Sequence, residues 1–190
     1  LDDAIQELKE TDFKELFAEE LSAKAKLIVP DCTIETDLEV LIPDSYINNT
    51  SERLQLYSTL DNIKDQKSLL DFRDSLKDRF GSLPDSVEQL INTVRLRWMG
   101  EALGFEKLSL KNEKLRGYFV TGNNEYFKSE IFGRVLSFVQ THTKRCRMKD
   151  MAGKLILTIE SIGSVEAATE ILGPLAYYSN VKSLSETPSA

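Results

Sequence analysis

Residue types that carry out chemistry are sparse in this chain of 190 residues. His142 is the sole histidine, so a HExxH zinc site, a His-based triad and a multi-His metal centre are all excluded within it. His142 follows the turn that carries Phe138 and Val139. It is expected to end a helix there, where a cation is mildly favoured. Gly153-Lys154 lacks the earlier glycine and the following hydroxyl of a phosphate loop, and no GxG pair occurs. Cys32 and Cys146 lie far apart and outside any CxxC spacing. Two lone thiols suit a reducing cytoplasm better than a disulfide scaffold. No catalytic residue, metal ligand or cofactor site is therefore assigned to this chain.

What remains is charge at regular spacing. Asp71, Asp74 and Asp78 recur at offsets of three and four, which stacks them on one helical face. Like charges so placed repel by a few tenths of a kcal/mol each. Arg73, Lys77 and Arg79 are interleaved and could relieve this. The row is either a solvated face or a docking face for a basic partner. Hard cations want converging oxygens, so one helical row is a poor metal site. A second cluster is basic: Lys144, Arg145, Arg147 and Lys149 alternate with Cys146 and Met148. On a strand, Arg145, Arg147 and Lys149 share one face. This is either a solvent face that discourages edge pairing or a nucleic-acid stripe without aromatics for stacking.

The elements that must position these groups can be read from periodicity. Leu69, Phe72, Leu76 and Phe80 mark one helix face, with Gly81 as its stop. Pro84 opens a second helix. Val87, Leu90, Ile91, Val94, Trp98 and Ala102 form one stripe of it, and Leu96, Met99 and Leu103 a neighbouring one. A helix so widely apolar is covered on more than one side. This central helix ends at Gly104.

Upstream, residues 1–20 carry a thin, polar helical pattern. Residues 32–42 alternate as a half-buried strand with an acidic outer face. Asn49 caps a helix reaching about residue 64, and Asp65 caps the next. Beyond Gly104 the period changes to two. Hairpins are expected over 107–121 and 145–160, a helix over 126–142, and a last helix capped by Ser164 and bent or interrupted at Gly173-Pro174. The fold class is α+β: a three-helix segment, then hairpin-helix-hairpin-helix, with a small mostly antiparallel sheet packed on helices.

Length and composition suit one soluble domain, and no run approaches a membrane span. The net charge of −7 argues against the whole module being a nucleic-acid binder. The chain opens within a helix-like phrase, so it is expected to be a piece of a longer polypeptide.

Three phrases, SERLQLY (51–57), LKDRFGSLPDSVEQL (76–90) and RWMGEALGFEKL (97–108), resemble the C-terminal (TRCF) domain of the bacterial transcription-repair coupling factor. Together, in this order, RL..Y, DRFG.LP and LG...L are specific. The resemblance covers about residues 31–178 and is weakest after Asn123. It implies that residues 1–30 are the end of an upstream motor region and its linker. Residues 31–178 are then a C-terminal regulatory domain, and 179–190 a flexible tail.

The parent it implies is an ATP-dependent double-stranded-DNA translocase of the cytoplasm. That parent releases stalled RNA polymerase and recruits UvrA, and ATP and Mg belong to its absent motor. The domain itself would be non-catalytic. It would dock on a UvrB-like N-terminal module of the same chain and mask the UvrA-binding surface. The family's docking surface includes the acidic residue of DRFG, here Asp78. The expected interface is Asp78, Asp74, Asp71 and Arg79. Another family member has a carboxylate where this chain has Ser75, and Asp74 is the nearest substitute.

Overall fold

The computed structural model describes residues 31–176. The expectations for residues 1–30 and for 177–190 lie outside the described residues. The described elements are β1 (Thr33–Thr36), α1 (Thr50–Asn62), α2 (Gln66–Phe80), α3 (Asp85–Leu103), β2 (Phe105–Lys111), β3 (Lys114–Phe119), α4 (Asn124–Phe127), α5 (Glu130–Thr141), β4 (Cys146–Met151), β5 (Lys154–Glu160) and α6 (Val165–Ala176). This is the expected α+β arrangement.

The three-helix segment encloses a core of its own. Ile42, Ile47, Leu56, Leu60, Leu69, Phe72, Leu76 and the first half of α3 pack together there. Local chemistry starts and stops each helix as the sequence indicates. Asn49 accepts from the Glu52 amide, and Asp65 accepts from the Ser68 amide. Gly81 closes α2 with a positive φ of 86°, and its ψ of −164° lies outside the left-handed helical region. Pro84 sits at the N-cap of α3, one place before the helix.

The phrases that carry the family resemblance hold this lobe together. From RL..Y, Arg53 donates to the Ile47 and Asn48 carbonyls at 2.6 and 3.0 Å. The Tyr57 hydroxyl accepts from the Ile42 amide at 2.7 Å. Both pin the irregular 42–48 segment and pair backbone groups of the buried Ile42 and Ile47.

The second half of α3 belongs to a different core. Leu96, Met99 and Leu103 pack with one face of the sheet and with α5 and α6. The five strands run in the order β1-β2-β3-β5-β4, with β1 parallel to β2 and all other pairs antiparallel. Both hairpins turn on two residues of positive φ, Asn112-Glu113 and Ala152-Gly153. Paired positive φ matches the twist of the flanking strands.

Three expectations need correction. The strand foreseen over 32–42 pairs only at Thr33–Thr36. The Leu38 amide turns back to the Thr36 hydroxyl at 3.0 Å, and the chain then leaves the sheet to bury Ile42 and Ile47 in the helical lobe. The helix foreseen over 126–142 is two helices, because Ser129 caps a fresh start by accepting from the Phe132 amide. The last helix is not interrupted at Gly173-Pro174: Pro174 lies inside α6, which continues to Ala176.

Candidate docking surface

Asp71, Asp74 and Asp78 are all exposed on one stripe of α2. None of the three makes a side-chain hydrogen bond or ion pair among the described residues. Of the three cations expected to relieve them, Lys77 is exposed and makes no ion pair among the described residues, and the two arginines are engaged elsewhere. Arg73 crosses to α3, where Nη2 lies 2.7 Å from Glu88 Oε1 and Nε lies 3.1 and 3.2 Å from the two carboxylate oxygens. That pairing, and more weakly the nearby Asp74, raises the Arg73 pKa. Arg79 pairs with Glu52 of α1 and lies over the Phe80 ring, 4.8 Å from its centroid. The two arginines therefore clamp α2 to its neighbours, and the carboxylates keep their charge toward solvent.

A groove of about 600 Å³ runs between α1 and α2. Leu56, Ile63 and Phe72 line it with apolar surface, and Asp71, Ser75 and Arg79 contribute polar groups. Asp74 and Asp78 lie outside that lining, on the adjoining helix surface. Leu70, 41% exposed, stands one turn before Asp74. The structure thus brings Asp71, Ser75 and Arg79 to one groove and leaves Asp74 and Asp78 on its flank.

The basic cluster is divided differently from its sequence spacing. Arg145 precedes β4, and its guanidinium donates to the Glu160 and Ser161 carbonyls. Lys144 is exposed in the preceding turn. Arg147 and Lys149 are exposed on β4, while Cys146 is buried and Met148 half-buried behind them, as alternation requires.

His142 caps α5 and stacks on Phe138 at 4.2 Å, in the structural role expected. Among the described residues no three His, Cys, Asp or Glu side chains gather as a metal site, and no helix is long and apolar enough to cross a membrane. Burial pushes the Cys32 thiol up to about 12, reinforced by Glu101 and Asp31.

Two features escaped the sequence reading. The Arg73–Glu88 and Arg79–Glu52 clamps each join residues on different helices, so no local spacing announces them. Lys107, Arg116 and Tyr118 alternate along β2 and β3. Their proximity to β4 and β5 depends on a strand order that spacing cannot supply.

The geometry defines an α+β domain with a charged helical surface beside a partly apolar groove. Residues 36–129 match the family model described as the TRCF domain. The fold is also that of a solved structure, the C-terminal domain of transcription-repair coupling factor, at a TM-score of 0.64 and 16% identity, over 82% of this chain and 96% of that one. No curated protein matches the sequence.

Proposed function

We propose that this chain is the C-terminal regulatory domain of a transcription-repair coupling factor, acting by docking rather than catalysis. The parent would be an ATP-dependent double-stranded-DNA translocase, with ATP and Mg bound by its motor. It would release stalled RNA polymerase and recruit UvrA. This domain would dock on a UvrB-like module of the same polypeptide and cover the UvrA-binding surface. The TRCF match supports the placement. The observation that carries the docking role is the row Asp71, Asp74 and Asp78, whose carboxylates make no ion pair or side-chain hydrogen bond among the described residues.

An arginine of the partner would meet Asp78 in a charge-assisted pair, with Asp74 supplying charge where Ser75 has none. Desolvating Leu70 and the groove beside it adds a limited apolar contribution. Such a latch is of modest strength, as a reversible interface within one polypeptide requires.

The test is made in the full-length factor. Asp78→Ala alone and Asp71→Ala/Asp74→Ala/Asp78→Ala together are expected to raise UvrA binding and ATPase rate, the triple variant by about fivefold or more, the size of a coupling energy of about 1 kcal/mol. All three side chains are exposed, so the domain stays folded. Unchanged binding and ATPase in the triple variant would refute the masking role.

A further inference from the structure

The second half of α3, with α5 and α6, packs on one face of the sheet, and the other face carries a concentration of positive charge. Pairing registers place two rows across that outer face. One runs Lys107, Tyr118, Ile156, Lys149, and the other Ser109, Arg116, Thr158, Arg147. From β2 to β4 the rows span about 14 Å, at about 4.8 Å per strand.

Cations toward the ends of the strands have partners. Lys111 lies 3.3 Å from Glu35, Lys114 4.0 Å from Glu160, and Lys154 2.7 Å from Glu106. The middle of the face differs. Arg116, Arg147 and Lys149 make no ion pair or hydrogen bond through their side chains among the described residues. Lys107 divides its charge between Glu35, at 3.7 Å, and the ring of Tyr118, at 4.4 Å from the centroid.

We infer that this face is a binding surface for single-stranded DNA, centred on Tyr118 and held by Arg116, Arg147 and Lys149. The three unpaired cations fit phosphates, and the two arginines among them can grip a phosphate through two parallel hydrogen bonds. Tyr118 supplies a stacking platform on the same face, which a merely acidic protein partner would not need. A base taking that ring displaces the Lys107 ammonium onto the adjoining phosphate. The chain's net charge of −7 does not cancel this field. Charges more than about 8–10 Å apart across solvent are largely screened at physiological salt, and the acid row of α2 belongs to the helical lobe rather than to the sheet.

The inference is independent of the masking role, since the two use opposite charge on different elements. Fluorescence anisotropy of a labelled oligo-dT of about ten nucleotides tests it with the whole chain at low salt. Binding is expected to weaken as salt rises. Arg116→Ala/Arg147→Ala/Lys149→Ala is expected to weaken it at least tenfold and to lower the salt slope by about 0.7 per cation removed. Tyr118→Leu is expected to weaken oligo-dT binding severalfold and to leave inorganic polyphosphate binding unchanged. Circular dichroism checks that each variant is folded. No binding at low salt, or binding insensitive to the triple variant, overturns the inference. So does a preference for duplex of the same length, or an equal loss of polyphosphate and oligo-dT binding in Tyr118→Leu.

Discussion

The lobe formed by α1, α2 and the first half of α3 and the layer behind the sheet share one helix, yet they are stabilised by different means. In the helical lobe, contacts join neighbours in sequence. Side-chain caps begin α1 and α2, and salt bridges tie α2 to α1 and α3. Behind the sheet, the packing brings residues from the whole described chain together, from Cys32 to Leu175. It also involves close approach. Phe105 covers Gly117, where an added Cβ would lie 2.3 Å from the ring. The difference suggests that the helical lobe can open without the sheet, whereas disruption behind the sheet affects the whole domain.

The largest effect should follow a change where the two regions join. Gly104 ends α3 with φ of 86° and carries the buried Tyr126 ring against it, so an added Cβ would lie 2.2 Å from that ring. Gly104→Ala combines left-handed strain with overpacking and should cost about 4 kcal/mol. Urea unfolding measures it, and a loss below about 1 kcal/mol would mean that Tyr126 yields easily. Next in size is Leu69→Ala, which opens a cavity at a fully buried position of α2 and should cost about 3 kcal/mol. Amide exchange in α1 and α2 should quicken more than in β2, β3 and β5. Equal acceleration everywhere would show that the two regions unfold as one unit.

The smallest effect is a difference in response to pH. Hydrogen bonds from the Ser68 amide and hydroxyl hold the Asp65 carboxyl below its ordinary range. Its stabilisation is complete above the unfolded pKa of about 3.9 and is lost as pH falls through the lower folded value. Glu101, on α3 beside β1, is shifted upward, first by burial and then by Asp31. Its charge therefore weakens the fold above the raised value, and that penalty is relieved as pH falls toward the unfolded pKa of about 4.3. Thermal melts should find Glu101→Gln more stable than the parent at pH 7, with the advantage shrinking in acid. Asp65→Asn should lose part of the decline below pH 4. A Glu101→Gln variant less stable at pH 7 would mean that its carboxylate makes a favourable contact that outweighs its burial.

Much of the architecture was legible because it rests on local rules. Asn49, Asp65, Ser164 and the positive-φ turns each act within a few residues, so their elements stand where expected. The acid row was equally legible, since helical spacing alone puts Asp71, Asp74 and Asp78 on one stripe. Errors arose where distant packing outweighed pattern. The alternation through Ile42 continues past Thr36, but burial of Ile42 and Ile47 in the other core takes the chain off the sheet.

By itself, then, the sequence determined the element types, most of their caps and turns, the acid row and the family phrases, because each depends on neighbours along the chain. The tertiary structure alone decided that Arg73 and Arg79 are drawn away from those acids, and that Arg116, Tyr118, Arg147 and Lys149 share one face. Strand order and helix packing bring together residues whose separation along the chain carries no signal of contact.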